Sequence, residues 1–216
     1  MSNDNLERWV TEELQWEPTL DSTAIAVKAH DGRITLRGTV GSFREKRAAE
    51  RAARRVYGVT ALDNELQVSL LTESRREDAD LRGDVLQALM LDSLVPETVD
   101  AKVDDGLVTL TGTAGWQYQR DEAEYVTGNV WGVVDVDDDI RIEHAEPKAK
   151  DVKDSIKKAL KRSAKIDADQ LLVDTSNGTV SVTGIVGSWT EHDAAIDAAW
   201  AAPGVTNVED NIVVEY

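Results

Sequence analysis

Apolar residues recur every fourth position in three stretches of the chain: Leu6, Val10 and Leu14, then Leu81, Val85 and Leu89, then Val152, Ile156 and Leu160. Each stretch predicts an amphipathic helix, because residues four apart share one helical face. Two-residue alternation follows, through Ile25 and Val27, through Val99, Ala101 and Val103, and through Leu171 and Val173. That period predicts a strand with one buried face. Asp31-Gly32, Asp105-Gly106 and Asn177-Gly178 come next and predict hairpins, since glycine supplies the positive φ of a type I′ turn. The second strand buries Ile34 and Leu36, Val108 and Leu110, or Val180 and Val182, and turns Thr35, Thr109 or Ser181 to water. A second helix begins after Gly41, Gly115 or Gly187. Ser42 with Glu45 and Ser188 with Glu191 have the spacing of a capping box. Gly58, Gly132 and Gly204 are placed to end it in the left-handed conformation. A last strand alternates through Leu66 and Val68, Ile140 and Ile142, or Ile212 and Val214.

The three passages are copies of one unit. Asp31–Gly41, Asp105–Gly115 and Asn177–Gly187 align residue by residue, so Gly32, Gly38 and Gly41 recur as Gly106, Gly112 and Gly115 and as Gly178, Gly184 and Gly187. The predicted fold is α+β: three tandem α-β-β-α-β modules, each a small three-stranded sheet with both helices on one face. The modules are expected at residues 1–72, 73–145 and 146–216, with short polar joints near Leu71–Ser74 and at Glu146-Pro147-Lys148. Strand order stays open, because the third strand could lie beside the second through a right-handed crossover or beside the first. A unit of this size buries only roughly 60% of its unfolded surface. Neighbouring modules are therefore expected to pack together, with some of the tryptophans Trp9, Trp16, Trp116, Trp131, Trp189 and Trp200 at the seams. Phe43 and Trp189 are expected to staple the second helix to its own sheet.

Composition narrows the functional classes. Hydrophobic residues at 41% and charged residues at 30% describe a soluble globular chain. No cysteine is present, which excludes disulfides, thiolate metal sites and cysteine nucleophiles. A net charge of −17 argues against nucleic acid, whose binding needs a basic surface. No stretch approaches the roughly 18 apolar residues of a membrane span. The first residues lack the basic start and apolar core of a secretory signal, so a cytoplasmic location is expected. The charge is unevenly spread: the three modules carry −1, −12 and −4.

Catalytic and metal-binding constellations are thin. His30, His144 and His192 occupy unrelated places in the repeat and are expected at the solvent. Asp135, Asp137, Asp138 and Asp139 gather carboxylates but lack the glycine and closing glutamate of a calcium loop. They are expected to form a solvated strand edge. The Gly38–Gly41, Gly112–Gly115 and Gly184–Gly187 turns resemble anion-holding loops, yet lack the basic residue that follows such a loop in nucleotide-binding proteins. They are read as tight strand-to-helix turns. No enzyme, cofactor or metal site is expected. The positive charge is concentrated in two helices. One holds Arg44, Lys46, Arg47, Arg51, Arg54 and Arg55; the other holds Lys153, Lys157, Lys158, Lys161 and Arg162, with Lys150 and Lys165 nearby. Such helices attract anionic headgroups, each basic residue contributing about 1 kcal/mol.

The phased glycines, the pattern from Gly32 through Ile34-Thr35-Leu36 and Gly38 to Gly41, and the Gly58-Val59 step before the last strand resemble the BON domain. That family takes its name from bacterial osmotically inducible and nodulation proteins. The resemblance covers nearly the whole chain as three copies. It implies a bacterial stress-associated protein without catalytic residues, attached to phospholipid surfaces. The expected mode is peripheral attachment to anionic phospholipid, at the inner membrane, by the two basic helices. Two alternatives stay open: a protein-interaction scaffold using the acidic second module or a sheet edge, and a potassium-binding sensor.

Overall fold

The computed structural model describes residues 2–69, 76–143, 152–163 and 170–216. Both expected joints, His144, Lys150 and Lys165 lie outside these residues. Three α-β-β-α-β modules follow one another. The first contains α1 (Asn3–Trp16), β1 (Ile25–His30), β2 (Arg33–Val40), α2 (Phe43–Arg54) and β3 (Ala61–Val68). The second contains α3 (Asp78–Leu91), β4 (Asp100–Asp104), β5 (Leu107–Ala114), α4 (Gln117–Gly128) and β6 (Asp135–Ile142). The third contains α5 (Val152–Arg162), β7 (Leu171–Ser176), β8 (Thr179–Val186), α6 (Trp189–Trp200) and β9 (Asn207–Val214). The chain forms two compact units, one built around the first two modules and one around the third.

The strand order left open by the sequence is β1-β2-β3, repeated as β4-β5-β6 and β7-β8-β9. The second strand of each copy is central. It pairs with the first through the hairpin, Val27 opposite Leu36 and Ala29 opposite Ile34. In the first and third modules the last strand lies parallel to it, Gly38 opposite Leu66 and Gly184 opposite Ile212. The helix between them supplies the crossover that a parallel pair needs. Both hairpin residues take positive φ in every copy, 48° and 82° at Asp31-Gly32 and 48° and 81° at Asn177-Gly178, as a type I′ turn requires. Gly38 has a different reason to be glycine. It sits at φ +130°, and a Cβ there would lie 1.9 Å from the Ala24 carbonyl oxygen.

Both helices of the first module cover one sheet face. Leu6, Val10 and Leu14 of α1 share a core with Ala49, Ala52 and Ala53 of α2 and with Ile34 and Leu36 of β2. The alanines let α2 approach the sheet closely. In the third module Ile156 and Leu160 meet Ala195, Ala199, Val180 and Val182 in the same way. Ser42 and Ser188 accept from the Glu45 and Glu191 amides at 3.2 Å. The two glutamates reach back to the amides of Gly41 (3.0 Å) and Gly187 (2.6 Å). Helix α2 ends at Arg54, earlier than expected; a turn through Val56 separates it from Gly58, which does adopt a positive φ of 92°.

One packing expectation needs correction. The seam between the first two modules includes Phe43, Arg47, Tyr125 and Gly128, with Trp131 lining a recess beside Ser42 and Arg44. A Cβ on Gly128 would lie 2.7 Å from Phe43 Cδ1, so only glycine allows this approach. Phe43 thus points toward the second module, and only Trp189 packs against its own module's core. Trp16 is 83% exposed, and Trp9 and Trp131 are also exposed. The outward sheet face is polar in two copies but not in the third, where Leu172, Ile185 and Val213 stand in water.

Candidate functional site

The two basic helices hold five cations each within their bounds and have different surroundings. Helix α2 uses most of its cations internally. Arg55, its C-cap, donates from Nε to Glu13 at 2.9 Å and from Nη2 to Glu17 at 3.0 Å, tying α2 to α1. The Arg55 guanidinium and the Thr19 hydroxyl hold the Glu17 carboxyl below its ordinary pKa. Arg54 pairs with Glu50 one turn back at 2.8 Å. Lys46 reaches Asp135 of the second module at 2.7 Å, with most of its side chain covered. The Arg47 guanidinium carbon lies 5.3 Å from the Phe43 ring centre and 5.0 Å from that of Tyr125. Arg47 also donates to the Asn129 side chain at 3.3 Å. Burial pushes the Arg47 pKa down, the mark of a charge taken partly out of water. Of the cations of α2, Arg44 and Arg51 are exposed and have no ion pair to a described residue.

Helix α5 is arranged the other way. Ile156 and Leu160 face the core, which turns the lysines outward. Lys153 meets Asp174 of β7 at 3.1 Å. Lys157, Lys158, Lys161 and Arg162 are exposed and have no ion pair within 4 Å among the described residues. Of the eleven cations read from the sequence, the structure leaves these four together on one helix.

The remaining candidates have structural roles. In the first and third modules the last glycine of the turn, Gly41 or Gly187, has its amide taken by the chain's own glutamate. The acidic run is partly paired, Asp135 with Lys46 and Asp138 with Arg120 at 2.7 Å. Among the described residues no three His, Cys, Asp or Glu side chains are grouped to hold a metal ion. His30 is exposed as expected, beside Asp31. His192 is not: its side chain is only 12% exposed, between two carboxylates. Sequence reasoning missed it because its partner Asp210 is 18 residues away on another element.

Comparison with known proteins bears on this arrangement. Residues 2–69, 77–144 and 148–216 each match the model of the BON domain. The chain belongs to the BON-domain family. The phased glycines are thus the framework of three BON modules. Osmotically-inducible protein Y of Escherichia coli (strain K12) is 32% identical over 127 residues, which cover 56% of this chain. The match spans 63% of that relative's own length. A solved structure of CdsD, a structural protein of the type III secretion system of Chlamydia trachomatis, aligns over 98% of this BON chain and 92% of its own at 14% identity. Its TM-score of 0.28 is too low to indicate a shared overall architecture.

Proposed function

We propose that this BON protein is a non-catalytic, stress-associated binding protein that attaches peripherally to anionic phospholipid surfaces. Family membership and the similarity to osmotically-inducible protein Y support the stress-associated, non-catalytic part. The single observation that supports the surface is α5, where Lys157, Lys158, Lys161 and Arg162 stand free in a chain of net charge −17. Four cations near an anionic surface contribute about 4 kcal/mol at low salt. Arg44 and Arg51 of α2 form a secondary contact. Among the described residues no helix is long and apolar enough to cross a membrane. Attachment is therefore drawn from headgroup electrostatics, with exposed Trp16, Tyr57 and Trp131 offering aromatic surface of the kind that favours the headgroup region. The setting proposed is the cytoplasmic face of the inner membrane.

Co-sedimentation of the full chain with phosphatidylglycerol vesicles tests this, with pure phosphatidylcholine vesicles as the neutral control. Binding at low salt that weakens as salt rises is expected, because exposed charges are screened. Absence of binding to anionic vesicles at low salt would end the proposal.

A second reading, docking of a protein partner, is favoured by one feature. The outward face of the third module carries Leu172, Ile185 and Val213 where the first carries Ala26, Thr39 and Gln67 and the second Asp100, Thr113 and Arg141. Serine substitutions at Leu172 and Ile185 separate the readings, since they leave headgroup binding intact and remove a docking face.

A further inference from the structure

Position four after the start of each second helix's capping turn meets position eighteen beyond it, on the module's last strand. In the second module the pair is Arg120 and Asp138, Nε to Oδ2 at 2.7 Å, with a further donation from Nη2 to the Asp138 carbonyl at 2.9 Å. In the first module Lys46 is in phase but turns to Asp135 of the second module. Its in-phase partner is Asn64, which donates to the Lys46 carbonyl at 3.1 Å. In the third module the pair is His192 and Asp210, with Nε2 2.7 Å from Oδ2. The other ring nitrogen, Nδ1, lies 3.0 Å from Asp193 Oδ1. The same architectural joint is thus made with a permanent cation in one module and a titratable one in another.

The geometry at His192 accepts only one protonation state in full. A neutral imidazole has one N–H donor and one bare nitrogen. Here both nitrogens face carboxylate oxygens, so a neutral ring satisfies one and sets lone pair against lone pair at the other. The imidazolium donates to both. The ring cannot turn away freely, since its side chain is 12% exposed and the Trp189 ring stands edge-on with its centre 4.8 Å away. The charged groups facing His192 are Asp193 from its own helix and Asp210 from β9. Helix α5 and strand β8, also packed against α6, turn Ile156 and Leu160 and Val180, Val182 and Val186 into the shared core.

We propose that His192 is a proton-operated latch between α6 and β9, closed by the imidazolium and loosened as pH rises, while Arg120 keeps the corresponding joint of the second module closed throughout. Burial acts against the charge, but the hydrogen bonds to Asp193 and Asp210 and the charges of both carboxylates outweigh it, and His192 lies above its ordinary value of 6.5. The folded module therefore holds this proton more tightly than the unfolded chain does. The latch contributes fully below the unfolded imidazole's range and is lost as pH rises through the higher folded value. Helix α6 shares its core with α5, so the latch acts on the module that carries the exposed cations. This holds whether or not α5 meets a lipid surface.

The test uses the full chain. Side-chain nitrogen NMR of His192 is expected to show both ring nitrogens protonated at about pH 7, with a titration midpoint above about 6.5. Hydrogen exchange, corrected for its intrinsic pH dependence, is expected to lose protection several-fold in α6 and β9 between about pH 6 and pH 8.5. Helix α4 and strand β6 should keep theirs over the same range. H192R is expected to abolish the pH dependence in α6 and β9, and Asp210→Asn to lower the titration midpoint of His192. A midpoint at or below about 6.5, or unchanged pH dependence in a folded H192R, would overturn the latch. Should H192R fail to fold, an unshifted midpoint in Asp210→Asn would overturn it equally.

Discussion

Helices α2 and α5 each carry five cations within their bounds, and Arg55 follows directly after α2. Around α2 lie Glu13, Glu17, Glu50 and Asp135, and the rings of Phe43 and Tyr125. Around α5 only Asp174 meets a cation among the described residues. The first helix therefore uses its charge to fasten elements of its own module and the next, whereas the second leaves four of its cations exposed and unpaired among the described residues. Charge counted along a sequence does not separate these two uses. The separation depends on which acidic residues the fold brings within about 4 Å.

Removing the exposed, unpaired cations of the two helices should therefore have unequal effects, because α5 holds four of them and α2 two. The largest difference is expected in vesicle binding. Changing Lys157, Lys158, Lys161 and Arg162 together to Gln should weaken attachment to anionic vesicles by about three orders of magnitude, from about 1 kcal/mol per residue. Changing Arg44 and Arg51 to Gln should weaken it by about thirtyfold at most. Equal losses would erase the distinction. Stability should show the reverse order. Arg47→Ala, which removes a guanidinium held over two rings, should cost roughly 2 kcal/mol in chemical denaturation. Lys157→Ala should leave the unfolding midpoint where it is. A smaller cost, about 0.5–1 kcal/mol and reduced by salt, is expected for Lys46→Ala, which breaks the Lys46–Asp135 pair.

The smallest effect carries the opposite sign. Burial raises the Glu124 carboxyl above its ordinary value, with Asp138 and Asp121 adding to the rise and Arg47 opposing it. The folded state thus takes up this proton more readily than the unfolded chain. Glu124→Gln should raise the melting temperature slightly at neutral pH. The gain should shrink as pH falls through the folded value and vanish below the unfolded one. A melting temperature lowered at neutral pH would show that Glu124 is chiefly a partner of Arg47.

Much of the fold was legible because its determinants are local. Asp-Gly and Asn-Gly turns, Ser-x-x-Glu caps and four-residue apolar spacing each act within one turn of backbone, and the glycine phase multiplied the signal by three. Strand order was not legible in that way, since parallel pairing of β2 with β3 depends on how α2 packs between them. Burial of Phe43 at a seam depended on Gly128, a residue 85 positions away whose lack of a side chain reads locally as a helix end. The candidate site was half legible: the cations were visible, their acidic partners were not. One signal was present and passed over. Lys46, Arg120 and His192 are in phase, as are Asn64, Asp138 and Asp210, and the constant spacing of 18 marked a repeated joint.

The placement of the last strand at the margin of each sheet has a consequence for behaviour in crowded solution. With the order β1-β2-β3, the outer backbone of β3, β6 and β9 has no neighbouring strand within its own sheet. An uncovered strand margin is a template on which another chain can polymerise. Asp137 and Asp139 of β6 and Glu209 of β9 stand there without an ion pair among the described residues, whereas Asp63 and Glu65 of β3 are held by Arg33 and Arg37, and Asp210 by His192. Stacking two such strands would bring rows of carboxylates within about 5 Å of one another. On β6, repulsion between such rows opposes the stacking of one copy of the chain on another.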